Sequence, residues 1–222
     1  MRVVLFGATG MVGQGVLREC LLDPGVDFVV SIGRSPLATV DPKLAHIVHA
    51  PLTDFDALEP RLAGFDACFF CLGVASAGMS EAEYSRVTYD VTLAAAQTLA
   101  RLNPAMTFVF VSGAGADSSE KGRLMWARVK GRAENAILRL PFQAAYAFRP
   151  GMIQPLHGIE SRTPAYRRLY KIVGPLFPLL RRLLPNQILT TEQIGRAMLG
   201  VVRDGYPRRV LERHDILAAA GG

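Results

Sequence analysis

A short apolar strand that runs straight into three glycines, three residues apart, leaves a chain few options. Here the stretch is Arg2-Val-Val-Leu-Phe-Gly7-Ala-Thr-Gly10-Met-Val-Gly13, and an apolar-periodic helix follows it. Gly7 permits a tight turn out of the strand. Gly10 lets backbone come close to a bound phosphate, and Gly13 lets the helix sit tight on the sheet. The helix start then offers uncommitted N–H groups and the positive end of its dipole. Such a turn suits the pyrophosphate of a dinucleotide, with Gly7, Thr9, Gly10, Met11, Val12 and Gly13 around it. A bare strand–turn–helix connection is the alternative.

The rest of the chain keeps the alternation. Strands are expected at Val3–Phe6, Phe28–Ile32, His46–His49, Ala67–Leu72, Thr107–Ser112 and Ala144–Phe148. Helices are expected at Met11–Leu22, Phe55–Leu62, Glu81–Leu102 and Leu124–Leu138. The third of these stops before Asn103-Pro104, because proline disfavours a helical residue in front of it. Continuously apolar strands separated by helical patterns argue for an α/β fold, a doubly wound parallel sheet covered on both faces. Regularity weakens after Arg149-Pro150-Gly151. Thr190 and Gln193 are placed to form a capping box on a last helix through Val202. Residues 1–150 are therefore read as a nucleotide-binding core. Residues 151–222 are read as a small C-terminal lobe on the substrate side of one domain.

Half of the 222 residues are hydrophobic, enough for one good core. With a strand beginning at Val3 and no 18-residue apolar run, neither a secretory leader nor a membrane span is expected. Three cysteines suggest a reducing compartment, and the location expected is cytoplasmic. Cys68 and Cys71 have redox spacing but fall in a strand, where residues three apart face opposite sides. The same holds for His46 and His49, so no metal site is expected. Charge is uneven. Residues 1–120 hold 7 Lys+Arg against 13 Asp+Glu, a net of −6; residues 121–222 hold 18 against 6, a net of +12. The basic half suits an anionic partner (nucleic acid, a membrane surface or a phosphorylated ligand), but a solvated basic surface with a few arginines at a nucleotide-phosphate site is the reading preferred, and no nucleic-acid module is evident.

Strand two ends Ser31-Ile32-Gly33-Arg34-Ser35. A site for NAD usually places a carboxylate there to bind the ribose 2′-hydroxyl, whereas an arginine accommodates a 2′-phosphate. Arg34 offers a planar donor fork and Ser35 a hydroxyl, so NADP(H) is the expected cofactor.

The glycine spacing, Cys71-Leu72-Gly73 after strand four, Ser112-Gly113-Ala114-Gly115 after strand five and Phe148-Arg149-Pro150-Gly151 after strand six resemble one superfamily. It is the short-chain dehydrogenase/reductase superfamily, in its extended and atypical branches. The chain is similar to Tat-interactive-protein-type oxidoreductases and to NmrA-like NAD(P)-binding proteins. The resemblance implies a Rossmann fold. It adds Cys71, Leu72, Gly73, Pro150 and Met152 to the cofactor-binding residues. It also implies Lys130 as the lysine that holds the nicotinamide ribose and supports catalysis, with Ser112 as its hydroxyl partner. The family serine usually falls one or two residues later, where this chain has Gly113 and Ala114. The family tyrosine stands four residues before the lysine, and that position holds Trp126. An indole N–H donates but does not titrate, so it cannot pass a proton as a phenol does.

Two functions remain open on these residues. One is an NADPH-dependent oxidoreductase acting on a small molecule, with Ser112, Tyr84, Tyr89 or water as proton donor. The other is a non-catalytic, NADPH-sensing regulatory protein of NmrA-like type. The basic apolar stretch Tyr166–Pro185 suits an anionic lipid surface, a lid on an apolar pocket or a homodimer contact.

Overall fold

The computed structural model describes residues 1–159 and 187–221. The stretch Tyr166–Pro185, and every reading of it, lies outside the described residues.

Strands β1 (Arg2–Phe6), β2 (Phe28–Gly33), β3 (Leu44–Val48), β4 (Ala67–Phe70), β5 (Thr107–Val111) and β6 (Ala144–Arg149) form most of a parallel sheet. Two further strands, β7 (Met152–Gln154) and β8 (Ile188–Thr190), pair separately in parallel. A last strand, β9 (Val210–Glu212), joins the main sheet beside β6. The main order is β3-β2-β1-β4-β5-β6-β9. It reverses between β1 and β4. In open α/β sheets the ligand crevice forms at such a reversal, beyond the carboxyl ends of the strands.

The apolar strands are buried because helices cover both faces. On one face lie α1 (Met11–Leu22) and α6 (Thr191–Arg203), which pack Val16, Leu17, Cys20, Ile194, Ala197 and Met198 against Val3, Leu5 and Phe69. On the other lie α4 (Val91–Leu102) and α5 (Met125–Leu138), which pack Ala95, Leu99, Ala133 and Ile137 against Val4, Phe6, Phe70 and Phe108. Residues 55–62 make a 3₁₀ turn, Asp56–Leu58, and a short α2, Glu59–Leu62, instead of one helix.

The helix expected at Glu81–Leu102 begins and ends there, but it is not uniform. Its first part, α3 (Glu81–Ser85), has a capping box between Ser80 and Glu83. A π-turn, Arg86–Asp90, separates α3 from α4. The Thr92 hydroxyl donates to the Thr88 carbonyl at 2.5 Å, satisfying a backbone acceptor at the turn. The box predicted at Thr190 and Gln193 is present, with Gln193 N–H donating to Thr190 Oγ1 at 3.0 Å. The three-residue β7, β8 and β9 and the short α7 (Arg213–Ala219) left no readable period in the sequence.

Cys68 and Cys71 do face opposite sides, the first inside one apolar cluster and the second against the other. Burial pushes both thiols up, which suppresses thiolate chemistry. Among the described residues, no helix is long and apolar enough to cross a membrane.

Candidate functional site

The turn after β1 is built as the glycines require. Gly7 has φ +81°, and a Cβ there would lie 2.7 Å from the Cys71 carbonyl group. The backbone after β4 thus runs directly against the turn. Gly10 is the N-cap of α1 and gives no side-chain acceptor to the first turn. The leading N–H groups are left for a ligand.

Beyond this turn lies a cavity of about 530 Å³, lined by Gly7, Thr9, Gly10, Met11, Val12, Arg34, Cys71, Leu72, Gly73, Val111, Ser112, Lys130 and Pro150. Val74, Gly151 and Ile153 complete its wall. Most of the residues expected from the sequence meet here, from the ends of five strands and from α5. Three do not. Gly13 stands behind the wall, under the turn. Ser35 is outside the lining, and its carbonyl oxygen lies 2.9 Å from His46 Nε2. Met152 is half exposed on β7, and Ile153 takes the inward position instead. Side chains alternate along a strand, so a one-residue error in register turns the wrong one inward.

Three observations fit an anionic dinucleotide. The start of α1 is uncapped at the cavity. Arg34 is exposed, and no hydrogen bond or ion pair to it is formed among the described residues. The Ser112 hydroxyl, on a residue only 7 % exposed, is buried without a partner. A buried hydroxyl in that state is costly unless a ligand completes it.

Lys130 rises from α5 into the same wall. Its Nζ donates to the Val111 carbonyl at 3.4 Å and lies 5.4 Å from the centre of the Phe110 ring. Desolvation pushes its pKa down to about 8, while the carboxylate of Glu134, one turn later, works in the opposite direction. Glu134 is fully buried. Arg149 grips it with both nitrogens of its fork, at 3.0 and 2.5 Å, and donates also to Ser118 Oγ and Glu212 Oε1.

A second cavity of about 430 Å³ adjoins the first and shares Val74, Lys130, Pro150 and Gly151 with it. Trp126 and Tyr84 line it, with Ala75, Ser76, Gly113 and Ala114. Gly113 and Gly115 lie beside the indole: a Cβ at either would come within 3.9 or 3.5 Å of its ring. Trp126, four residues before Lys130, thus stands at this cavity. Tyr89 lies elsewhere, with the Arg132 guanidinium 4.1 Å from its ring centre, which removes it from the proton donors considered. Val74, Gly151 and Ile153 were not expected from sequence, because nothing marks a small or aliphatic loop residue as lining.

The model of a family described as NAD(P)H-binding matches residues 7–141, well over half of the chain. Protein fmp52, mitochondrial, of Emericella nidulans is 31% identical over 158 residues, covering 68% of this chain and 66% of that one. Its counterpart in Aspergillus clavatus is 30% identical over 184 residues, covering 78% and 74%. The chain thus spans just under two thirds of the first of these relatives. The Bordetella bronchiseptica enzyme WbmF, solved in complex with NAD+, superposes with a TM-score of 0.69 at 17% identity, over 99% of this chain and 76% of that one. That likeness is one of fold. The cytoplasmic expectation is corrected: several of the curated relatives are named mitochondrial. A low cysteine count reports a reducing milieu and does not distinguish between the compartments that have one.

Proposed function

The chain belongs to the NAD(P)H-binding family, in an atypical short-chain dehydrogenase/reductase-like group, and from that premise we propose that it is an NADP(H)-dependent oxidoreductase of a small-molecule substrate. One observation carries the reading. The uncapped glycine turn, Arg34, the unpartnered Ser112 hydroxyl and Lys130 line one cavity, and a second cavity opens from it at Lys130.

In this reading the start of α1 holds the pyrophosphate and Arg34 the 2′-phosphate. Lys130 holds the nicotinamide ribose, and the substrate occupies the cavity beside Trp126. Bound NADPH supplies a hydride. Of the hydroxyls on the two cavity walls, Ser112 and Tyr84 are the ones proposed to hold a carbonyl oxygen and donate a proton to it. Without the family's phenol four residues before Lys130, proton transfer is the weak part of the site. A positioned general acid is worth roughly 10²–10⁴ in rate. The same substitution favours a second reading, an NADPH-sensing binding protein that does not turn over.

Trp126 is the single tryptophan and serves as the probe. Titration with NADPH and then NADH, read by energy transfer from the indole to the nicotinamide, is expected to show tighter binding of NADPH. Arg34→Ala is expected to weaken NADPH by roughly 10- to 100-fold, as for the loss of charge-assisted hydrogen bonds, and to leave NADH nearly unchanged. Equal affinities in the parent protein would overturn the NADP assignment. Binding with no turnover of any carbonyl substrate would favour the sensor.

The acidity of Lys130 gives a separate check. Its ammonium is present below about pH 8 and lost above it, because desolvation lowers the pKa from 10.5. NADPH affinity is expected to fall as pH rises through about 8, well before an ordinary lysine would titrate. Lys130→Met should flatten that part of the profile. A parent profile that is level from pH 7 to 9.5 would take the ammonium out of cofactor binding.

A further inference from the structure

His46 has no part in the site as described, yet it is tied to it. It sits on β3, directly beside Ser31 of β2 in the parallel register. Cross-strand partners share a face, so both side chains point to the α1 side of the sheet. The Ser31 hydroxyl and His46 Nδ1 are both buried and neither has a hydrogen-bond partner. The other ring nitrogen, Nε2, lies 2.9 Å from the carbonyl oxygen of Ser35. A carbonyl only accepts, so Nε2 carries a proton there, and Nδ1 is left without a partner. The same ring lies under Gly33: a Cβ there would be 3.8 Å from His46 Cε1.

A histidine that leaves one nitrogen unpartnered in the interior is a poor device for stability. Buried polar atoms without partners cost free energy, and an apolar side chain of similar size would avoid that. What His46 does instead is hold the backbone just after Arg34, by its hydrogen bond to the Ser35 carbonyl, while its ring lies on the open side of Gly33 just before it. Arg34 itself is exposed and unrestrained by any other described residue. A planar donor fork discriminates by geometry only if the backbone carrying it is held.

We propose that His46 is a specificity-determining positioning residue: through its hydrogen bond to the Ser35 carbonyl it holds the Gly33–Ser35 turn so that Arg34 meets the 2′-phosphate of NADPH. The proposal rests on the assignment of Arg34 as phosphate reader.

The test is a pair of variants. His46→Leu removes the bond and the unpartnered nitrogen together. His46→Gln keeps an amide N–H able to reach the carbonyl. Dissociation constants for NADPH and NADH are read by calorimetry and melting by circular dichroism. His46→Leu is expected to melt at or above the parent temperature, to lose NADPH affinity about tenfold and to bind NADH within twofold of the parent. His46→Gln is expected to recover most of the NADPH affinity. An equal loss for both cofactors would make His46 merely structural and overturn the proposal, as would unchanged NADPH affinity in His46→Leu. Arg34→Ala separates the two levels. If it does not affect NADPH, the phosphate-reader assignment fails. If it weakens NADPH while His46→Leu does not, that assignment stands and the proposal for His46 alone falls.

Discussion

Replacement of Gly13 by alanine is expected to weaken nucleotide binding on the order of 100-fold and to cost about 3 kcal/mol or more of stability. A Cβ at this position would lie 2.0 Å from the Gly7 carbonyl oxygen, 2.6 Å from its carbon and 3.0 Å from the Ala8 Cα. All three are backbone atoms of the turn, so no side chain can swing aside. Either α1 retreats from β1 or the turn itself opens. The first breaks the packing of Val16, Leu17 and Cys20 on the sheet; the second moves the N–H groups that face the cavity. Overpacking usually costs about 1–3 kcal/mol, and the upper end or beyond applies where backbone must move. A displacement of about 1 Å at a binding group is worth on the order of 100-fold. Gly10→Ala makes the comparison, since its nearest such contact is 3.3 Å, again to the Gly7 oxygen. Melting temperature and NADPH titration on both variants decide it. Gly13→Ala binding within threefold of the parent would show that the turn does not hold the phosphates.

The second large effect concerns Glu134. Glu134→Ala leaves Arg149, only 11% exposed at its side chain, with Ser118 and the half-exposed Glu212 as its remaining partners. Removing one member of a buried ion pair typically costs about 3–5 kcal/mol, because the survivor stays buried and charged. At about 2–4 °C per kcal/mol for a chain of this size, the melting temperature should drop by roughly 6–20 °C. Glu134→Leu combined with Arg149→Met should recover much of that loss, since an apolar pair of similar volume needs no counter-charge. A drop of less than 2 °C in Glu134→Ala would mean that the pair is screened. Glu134→Gln also reaches the site. Without the carboxylate that raises it, Lys130 should titrate at lower pH, and the fall in NADPH affinity should move with it.

What could be read from the sequence follows from how locally each feature is encoded. The glycine turn, α1 and the buried strands were legible because their signals lie within a dozen residues: spacing, apolar continuity and proline or glycine punctuation. Even the capping box at Thr190 stood out, because it needs only two residues three apart. The π-turn at Arg86–Asp90 was not legible. It inserts no unusual residue and shows only as a shift in which side chains face inward. Nor was β9, whose three residues carry charge on both sides and are selected by pairing with β6 rather than by propensity. In the site, Lys130 and Trp126 were placed through family register, and the structure puts both on the cavity wall. Met152 faces outward and Ile153, one position on, lines the cavity, the smallest shift that reverses a strand residue. His46 was set aside as a metal ligand, and its bond to the Ser35 carbonyl depends on a turn between two strands that no local pattern reveals.

The position of β9 has a consequence for how such a chain comes off the ribosome. Arg149, which precedes the Pro150-Gly151 wall shared by both cavities, completes its set of partners only with Glu212, 63 residues later. Loop closure over that span is slow compared with the local pairing of β1 with β2, and translation itself delays it further. The glycine turn can therefore form, and meet nucleotide, while the wall against which a substrate would sit is still missing its last support. Chains stalled before Val210 would then carry the glycine turn while the Pro150-Gly151 wall, common to both pockets, still lacks its last support, so that neither pocket is complete until Glu212 arrives.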